Sequence, residues 1–202
     1  MIRLLGVYGR TFSPPHRGHR HAAEAFMQAV HPDKLMIIPT CLPPHKVETD
    51  GATAEDRLAM CRIAFSDLDG CEVSDMEIRR GGKSYTSETL KALCGTAERI
   101  ALLVGTDMML TLDAWHEPET IFRLADVYCV RREDDDSVMQ QITEKNRQYF
   151  QAYGKEVHIV EAPPLEVAST GIRTALGTSG SASLLDPRVL AYIRERGLYA
   201  GE

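Results

Sequence analysis

The sequence predicts an α/β fold: a doubly wound parallel sheet, covered by helices on both faces, in a single domain spanning 1–202. Three observations predict it. Short apolar runs of strand length alternate with amphipathic stretches along the chain, the pattern of successive βαβ units. A length of 202 residues suits one well-filled domain. The composition, 44% hydrophobic and 26% charged, is that of an ordinary globular protein, with no repeat and no low-complexity tract.

The elements follow in order. Strands are read at Arg3–Tyr8, Lys34–Ile38, Ile100–Val104, Val127–Val130 and Val157–Val160, with a weaker one at Glu72–Ser74. The first helix is read at His19–Val30, because Ala22, Ala23, Phe26, Met27 and Val30 fall at helical spacing. Further helices are read at Thr53–Ser66, Thr86–Cys94, Asp107–Ala114, Pro118–Leu124 and Ser137–Tyr153. A short one at Thr170–Ala175 and a last one at Pro187–Arg196 complete the set. Glu133-Asp134-Asp135-Asp136 reads as a solvated loop leading into a polar helix. In such a sheet, ligands bind beyond the carboxyl ends of the strands, where strand order reverses.

Composition also excludes. No apolar run approaches membrane-spanning length, so no membrane partner is expected. The N-terminus opens into strand rather than into a charged segment and apolar core, so no signal peptide is read. Cys41, Cys61, Cys71, Cys94 and Cys129 are odd in number, widely spaced and form no Cys-x-x-Cys pair, which fits reduced thiols in a cytoplasmic protein. A net charge of -6 argues against bulk attraction to nucleic acid. It leaves room for a locally basic pocket that takes a small phosphorylated molecule. Self-association is left open.

Two segments carry chemistry. In the first, a strand ends in Gly6-Val7-Tyr8-Gly9-Arg10-Thr11-Phe12-Ser13-Pro14-Pro15, and this loop delivers His16-x-Gly18-His19 to a helix start. The two histidines are three apart, hence expected on one helix face. Arg20 and His21 follow, loading the first turn with cationic groups where a helix N-terminus favours anions. A phosphate held there would resolve the conflict. Zinc would need a third ligand in a metal-binding spacing, which is lacking nearby, and solvated surface histidines are the plain alternative. In the second segment, Val167-Ala168-Ser169-Thr170-Gly171-Ile172-Arg173, Ser169 or Thr170 reads as an N-cap. Counting three from Thr170, Arg173 then stands where a capping box would place Glu or Gln. An ordinary cap with a solvated arginine would explain this segment alone. The same anomaly at two helix starts on one sheet is better explained by a shared polyphosphate.

Gly9-x-Thr11-Phe12-x-Pro14-x-His16-x-Gly18-His19, paired with Ser169-Thr170-x-Ile172-Arg173, resembles the nucleotidyltransferase superfamily with the HxGH signature, whose fold is Rossmann-like. Within it the chain is similar to the bacterial nicotinate mononucleotide adenylyltransferase family. Pro43-Pro44-His45-Lys46 resembles that family's loop after the second strand, and Gly81-Gly82-Lys83-Ser84-Tyr85-Thr86 its substrate loop. Gly105-Thr106-Asp107 with Leu112 and Trp115 resembles its fourth-strand motif, and Leu190-x-x-Ile193-x-x-x-Gly197-Leu198-Tyr199 its tail. The resemblance covers essentially the whole chain. Three positions depart from the family pattern: Arg10 stands for a second glycine, Ser13 for aspartate or asparagine, and Ala168 for a frequent serine. A bulky residue supplies positive φ only at a cost. Residue 10 is therefore expected at negative φ, its side chain turned out of the loop or over the triphosphate mouth. The Ser13 hydroxyl is expected to tie the loop to a neighbouring backbone group.

The resemblance implies adenylyl transfer from ATP to nicotinate mononucleotide, by in-line attack without a covalent intermediate. His16, His19, Lys46 and Arg173 are then the catalytic set. Gly9, Arg10, Thr11, Phe12, Gly18, Gly105, Asp107, Arg132, Ser169 and Thr170 meet ATP. Ser84, Tyr85, Thr86, Trp115 and His116 take the acceptor. Trp115, the only tryptophan, follows an apolar helix and by burial alone reads as core; the resemblance makes it a stacking platform. Mg²⁺ travels with the triphosphate, and no dedicated carboxylate cage is read. A phosphopantetheine adenylyltransferase would keep the phosphate motifs without reason for the Ser-Tyr-Thr and Trp115 pairing. A nicotinamide-cofactor dehydrogenase lacks support, because Gly6-x-x-Gly9 runs into Pro14-Pro15 instead of completing Gly-x-Gly-x-x-Gly. A regulator that lost catalysis is disfavoured by the joint presence of His16, His19, Lys46 and Arg173.

Overall fold

The computed structural model describes residues 1–44, 51–131, 135–165, 171–173 and 184–199. Its centre is a six-stranded sheet in which every pairing is parallel, in the order β3-β2-β1-β4-β5-β6. The strands are β1 (Ile2–Arg10), β2 (Lys34–Pro39), β3 (Cys71–Val73), β4 (Ala97–Gly105), β5 (Asp126–Arg131) and β6 (His158–Glu161). All six expected strands form; β4 begins at Ala97 rather than Ile100. The chain winds outward from β1 to β3, then returns to the middle and winds the other way from β4. The carboxyl ends of β1 and β4 thus flank the point where strand order reverses.

Among the described residues the helices are α1 (Arg17–Val30), α2 (Ala54–Ala64), α3 (Met76–Arg80), α4 (Thr86–Leu93), α5 (Thr106–Met109), α6 (Pro118–Leu124), α7 (Asp136–Tyr153) and α8 (Pro187–Arg196); residues 171–173 are also helical, and the rest of the expected Thr170–Ala175 helix lies outside the described residues. One core packs α1, α2 and α8 on a face of the sheet, through Phe26, Met60, Cys61, Val189 and Ile193. The other packs α4, α6 and α7 on the opposite face, through Leu90, Ile121, Phe122, Ile142 and Tyr149. Gly6 makes the first contact possible, because a Cβ there would lie 2.9 Å from Phe26 Cε1 and 3.0 Å from Leu35 Cδ1. Gly6→Ala is expected to cost ~1–3 kcal/mol, the range for overpacking a filled core, read as a lowered denaturant midpoint.

Two elements differ from expectation. Asp107–Ala114 is not one helix but α5 followed by a 3₁₀ turn at Leu112–Ala114. The break has a visible cause. Tyr149 Oη donates to the Met109 carbonyl at 2.6 Å, and the Thr111 hydroxyl donates to the carbonyls of Asp107 and Met108 at 3.3 and 3.2 Å. The Met108 carbonyl also takes the Thr111 N–H at 3.1 Å, an i+3 bond where the α-helix would have an i+4 one. Helix α3 is the unexpected element; Met76-Glu77-Ile78-Arg79-Arg80 is too short to show a period. In the acidic run, Asp135 caps α7 by accepting from Ser137 N–H at 2.8 Å, while Glu133 and Asp134 lie outside the described residues.

Candidate active site

The loop from β1 to α1 ends in an unusual cap. His16 is the N-cap, in extended backbone at φ -139° and ψ 172°, and His19 is the third helical residue. The Nδ1 of His16 accepts from the His19 backbone N–H at 3.3 Å, and the Nδ1 of His19 accepts from the His16 N–H at 3.2 Å. This is a capping box in which imidazoles replace the usual hydroxyl and carboxylate. Their rings stack at 3.7 Å between centroids and are buried. A backbone N–H can only donate, so each Nδ1 is the bare nitrogen and the ring proton sits on Nε2. The loop therefore holds two neutral imidazoles in fixed orientation, each with an Nε2–H donor. Phe12, at φ 52°, packs its ring 4.9 Å from His19 and is itself core.

Two expectations about this loop need correction. His16 lies outside the helix as its cap rather than on its face. The cationic first turn is also mostly settled within the protein. Arg20 pairs with Glu24 and Asp67, each at 2.7 Å, and His21 Nε2 bonds the Pro163 carbonyl at 2.9 Å. Those two residues give no argument for a bound phosphate; the histidine pair does.

Arg10 closes β1 at negative φ, as expected, and reaches across the strand-order reversal. Its Nη2 lies 3.3 Å from Asp107 Oδ2, just after β4, and its Nη1 contacts the Met108 sulfur. Gly105 leaves room for this pair, because a Cβ there would sit 3.0 Å from Asp107 Oδ1 and 3.5 Å from Arg10 Nη1. The Asp107 side chain is 68% exposed, so the pair is a loose one that water weakens.

Beside it opens a cleft of about 490 Å³, within the range of small-ligand sites. Gly9, Arg10 and Thr11 line it from the first motif, and Ser84, Tyr85, Thr86, Asp107, Trp115 and His116 from the others. Trp115 is half-buried in this wall, packed against the edge of the second core. Tyr85 and His116 pack ring to ring at 4.3 Å beside it. Ser84 is a tie as much as a lining residue, since its Oγ accepts from Cys41 N–H at 2.8 Å. Glu77, absent from the sequence reading, also borders the cleft. Its Oε1 accepts from the Thr89 hydroxyl at 2.5 Å, and burial holds its carboxyl above the usual range, against the opposing bonds from Thr89 and Ser84.

The second motif reaches the first through Arg173, whose Nη1 donates to the Ser13 carbonyl at 3.0 Å. Ser13 Oγ lies 3.2 Å from Tyr199 Oη. The expected backbone partner for this hydroxyl is thus joined or replaced by a side chain from the tail. Burial pushes the Tyr199 hydroxyl up to about 12. Gly18 sits in the first turn of α1 and Gly105 at the end of β4. Lys46, Arg132, Ser169 and Thr170 lie outside the described residues. Among the described residues, Glu88, His116 and Glu117 cluster closely enough for a metal ion, but Lys91 Nζ already sits 2.8 Å from Glu88 and 2.6 Å from Glu117.

A family model described as cytidylyltransferase-like matches residues 7–175. A protein of Desulfatibacillum aliphaticivorans named "Probable nicotinate-nucleotide adenylyltransferase" is 35% identical over 213 residues, covering 96% of this chain and 99% of its own. One of the same name from Pseudomonas entomophila is 31% identical over 210 residues, covering 98% and 95%. Among solved structures, Plasmodium falciparum nicotinic acid mononucleotide adenylyltransferase complexed with NaAD aligns at a TM-score of 0.75 and 16% identity, over 99% of this chain and 98% of that one. At that identity the likeness speaks for the fold. With about a third of its residues shared with relatives of its own length, the chain belongs to the cytidylyltransferase-like family and, within it, to the nicotinate-nucleotide adenylyltransferases.

Proposed function

We propose that this protein transfers the adenylyl group of ATP to nicotinate mononucleotide, giving nicotinate adenine dinucleotide and pyrophosphate in NAD biosynthesis. One observation carries the reading above all. Two neutral imidazoles with Nε2–H donors sit at the head of α1, on the same strand-end rim as the cleft walled by Trp115. A phosphate oxygen of the acceptor attacks the α-phosphorus of ATP. The new P–O bond forms as the bond to the bridging oxygen breaks, and pyrophosphate leaves with that electron pair. The attacking phosphate is largely ionised near neutral pH, so no side chain need take a proton from it. Catalysis is then positioning and charge stabilisation.

In this reading His16 and His19 donate to the phosphoryl oxygens as their charge grows. Lys46 reaches toward the reacting phosphates, and Arg173, Ser169 and Thr170 grip the departing pyrophosphate. The backbone of Gly9, Thr11, Phe12 and Gly18 lines the triphosphate path, and Arg10 covers its mouth. Gly105, Asp107 and Arg132 meet the nucleoside portions. Trp115 stacks on the pyridine ring, flanked by Ser84, Tyr85, Thr86 and His116, with backbone amides near Thr86 and His116 for the nicotinate carboxylate. Mg²⁺ enters as part of the substrate, kept by phosphate oxygens and water. The cleft carboxyls Asp107 and Glu77 face Arg10 and Thr89. Among the described residues no helix is long and apolar enough to cross a membrane, and we place the reaction in the cytoplasm.

Pyrophosphate release from ATP, with nicotinate mononucleotide, nicotinamide mononucleotide or phosphopantetheine offered separately, tests the reading. The first acceptor should be preferred; preference for phosphopantetheine would overturn it. Arg10 and Ser13 are expected to be working variants rather than marks of lost catalysis. Arg10→Gly with Ser13→Asp should change kcat by less than about tenfold, because the guanidinium and the loop tie are replaced by the family's own solution. An inert parent protein switched on by the double substitution would show instead that the chain had become a regulator.

A further inference from the structure

Arg57, on α2, is the largest fully buried side chain described, with no exposed surface. A buried guanidinium ordinarily has a carboxylate against it. Among the described residues Arg57 has none within ion-pair distance, and Glu55 and Glu77 act on it only from farther off. Its shorter hydrogen bonds go instead to the backbone of two loops, with a longer one to a hydroxyl. Nη1 donates to the Thr11 carbonyl at 2.8 Å and to Thr40 Oγ1 at 3.4 Å, and Nη2 donates to the Cys41 carbonyl at 2.9 Å.

Position gives these bonds meaning. The β1–β2 pairing ends at Arg10 and Pro39, with a last rung from Thr40 N–H to the Arg10 carbonyl at 3.0 Å. Beyond it the chains part: one becomes the loop that carries His16 and His19, the other leads through Pro43 and Pro44 along the cleft. Arg57 is the fork that bridges them just past that point. Burial depresses its affinity for the proton, which marks how poorly this site solvates a cation.

We propose that Arg57 is a positioning residue, whose two-pronged bond to Thr11 and Cys41 sets the spacing of the loops that bring the two nucleotides together. The proposal rests on the adenylyl-transfer reading for its activity readout only. Arg57→Lys keeps the charge but, as a point donor, cannot span both carbonyls. Arg57→Met keeps an unbranched stem without charge. Melting curves first establish that each variant folds. At 10 °C, with ATP and nicotinate mononucleotide both saturating, kcat should fall roughly tenfold or more in both variants. Amide exchange at Thr11 and at Cys41–Leu42 should quicken in Arg57→Lys with no substrate present. A kcat within fivefold of the parent in folded Arg57→Lys would overturn the proposal, as would unchanged exchange in those loops. So would failure of Arg57→Lys to fold at 10 °C, since the residue would then hold the fold rather than the loops. A parent enzyme inactive on nicotinate mononucleotide would sink the functional reading alone, because the exchange measurement needs no substrate.

Discussion

Replacing His16 or His19 with alanine is expected to lower kcat by about two to three orders of magnitude, the scale for removing one donor that acts in the transition state. Each ring does two jobs, however, since its Nδ1 also caps α1. Alanine therefore removes a cap as well, costing about 1 kcal/mol of stability. His16→Asp and His19→Glu separate the two. Both supply an acceptor for the backbone N–H, in the positions where capping boxes favour such groups, and neither has a donor. Their melting temperatures should stay within a few degrees of the parent while kcat falls at least as far as in the alanine variants. If the acidic variants kept their activity, the rings would be caps and nothing more. Stoichiometric zinc, with activity lost to a chelator and restored by zinc, would instead make them ligands.

Trp115→Ala is expected to raise the KM for the acceptor by roughly 5- to 150-fold, corresponding to about 1–3 kcal/mol of ring stacking, and to leave the KM for ATP within threefold. Trp115 is half-buried, lining the cleft while packing against the second core, so melting curves should accompany the kinetics to separate lost stacking from lost packing. The same pocket should discriminate acid from amide. A nicotinate carboxylate accepts charge-assisted bonds from backbone amides, whereas a carboxamide presents one acceptor and two donors to the same groups. Initial rates with nicotinate and nicotinamide mononucleotides, in the parent and in Trp115→Ala, measure both effects. Equal efficiency with the two acceptors would remove the selectivity without touching adenylyl transfer.

What was legible in the sequence depended on how local its cause is. Strand and helix periods are properties of neighbouring residues, so all six strands could be read in advance. The break after Met109 was legible only in part, because one of the side chains at it, Tyr149, comes from 40 residues away, while Thr111 is local. The His16/His19 pair stood out as a motif, but its role as a reciprocal cap depends on the folded backbone. Arg20 misled only in part for the converse reason: Glu24, one turn on, was there to be read, while its second carboxylate, Asp67, is 47 residues distant. Trp115 could be assigned to the cleft only through family likeness, since an aromatic after an apolar helix more often goes inward. Arg57 left no trace. Its two strong partners are main-chain carbonyls, which every residue has, and no side-chain pattern announces them.

The bonds from Arg173 and Tyr199 to Ser13 span 160 and 186 residues of chain. Contacts this remote close late in folding, because the intervening loop must first lose its freedom. A growing polypeptide would therefore carry the whole histidine motif long before it could set it, and a protein clipped near Tyr199 would lose the same support.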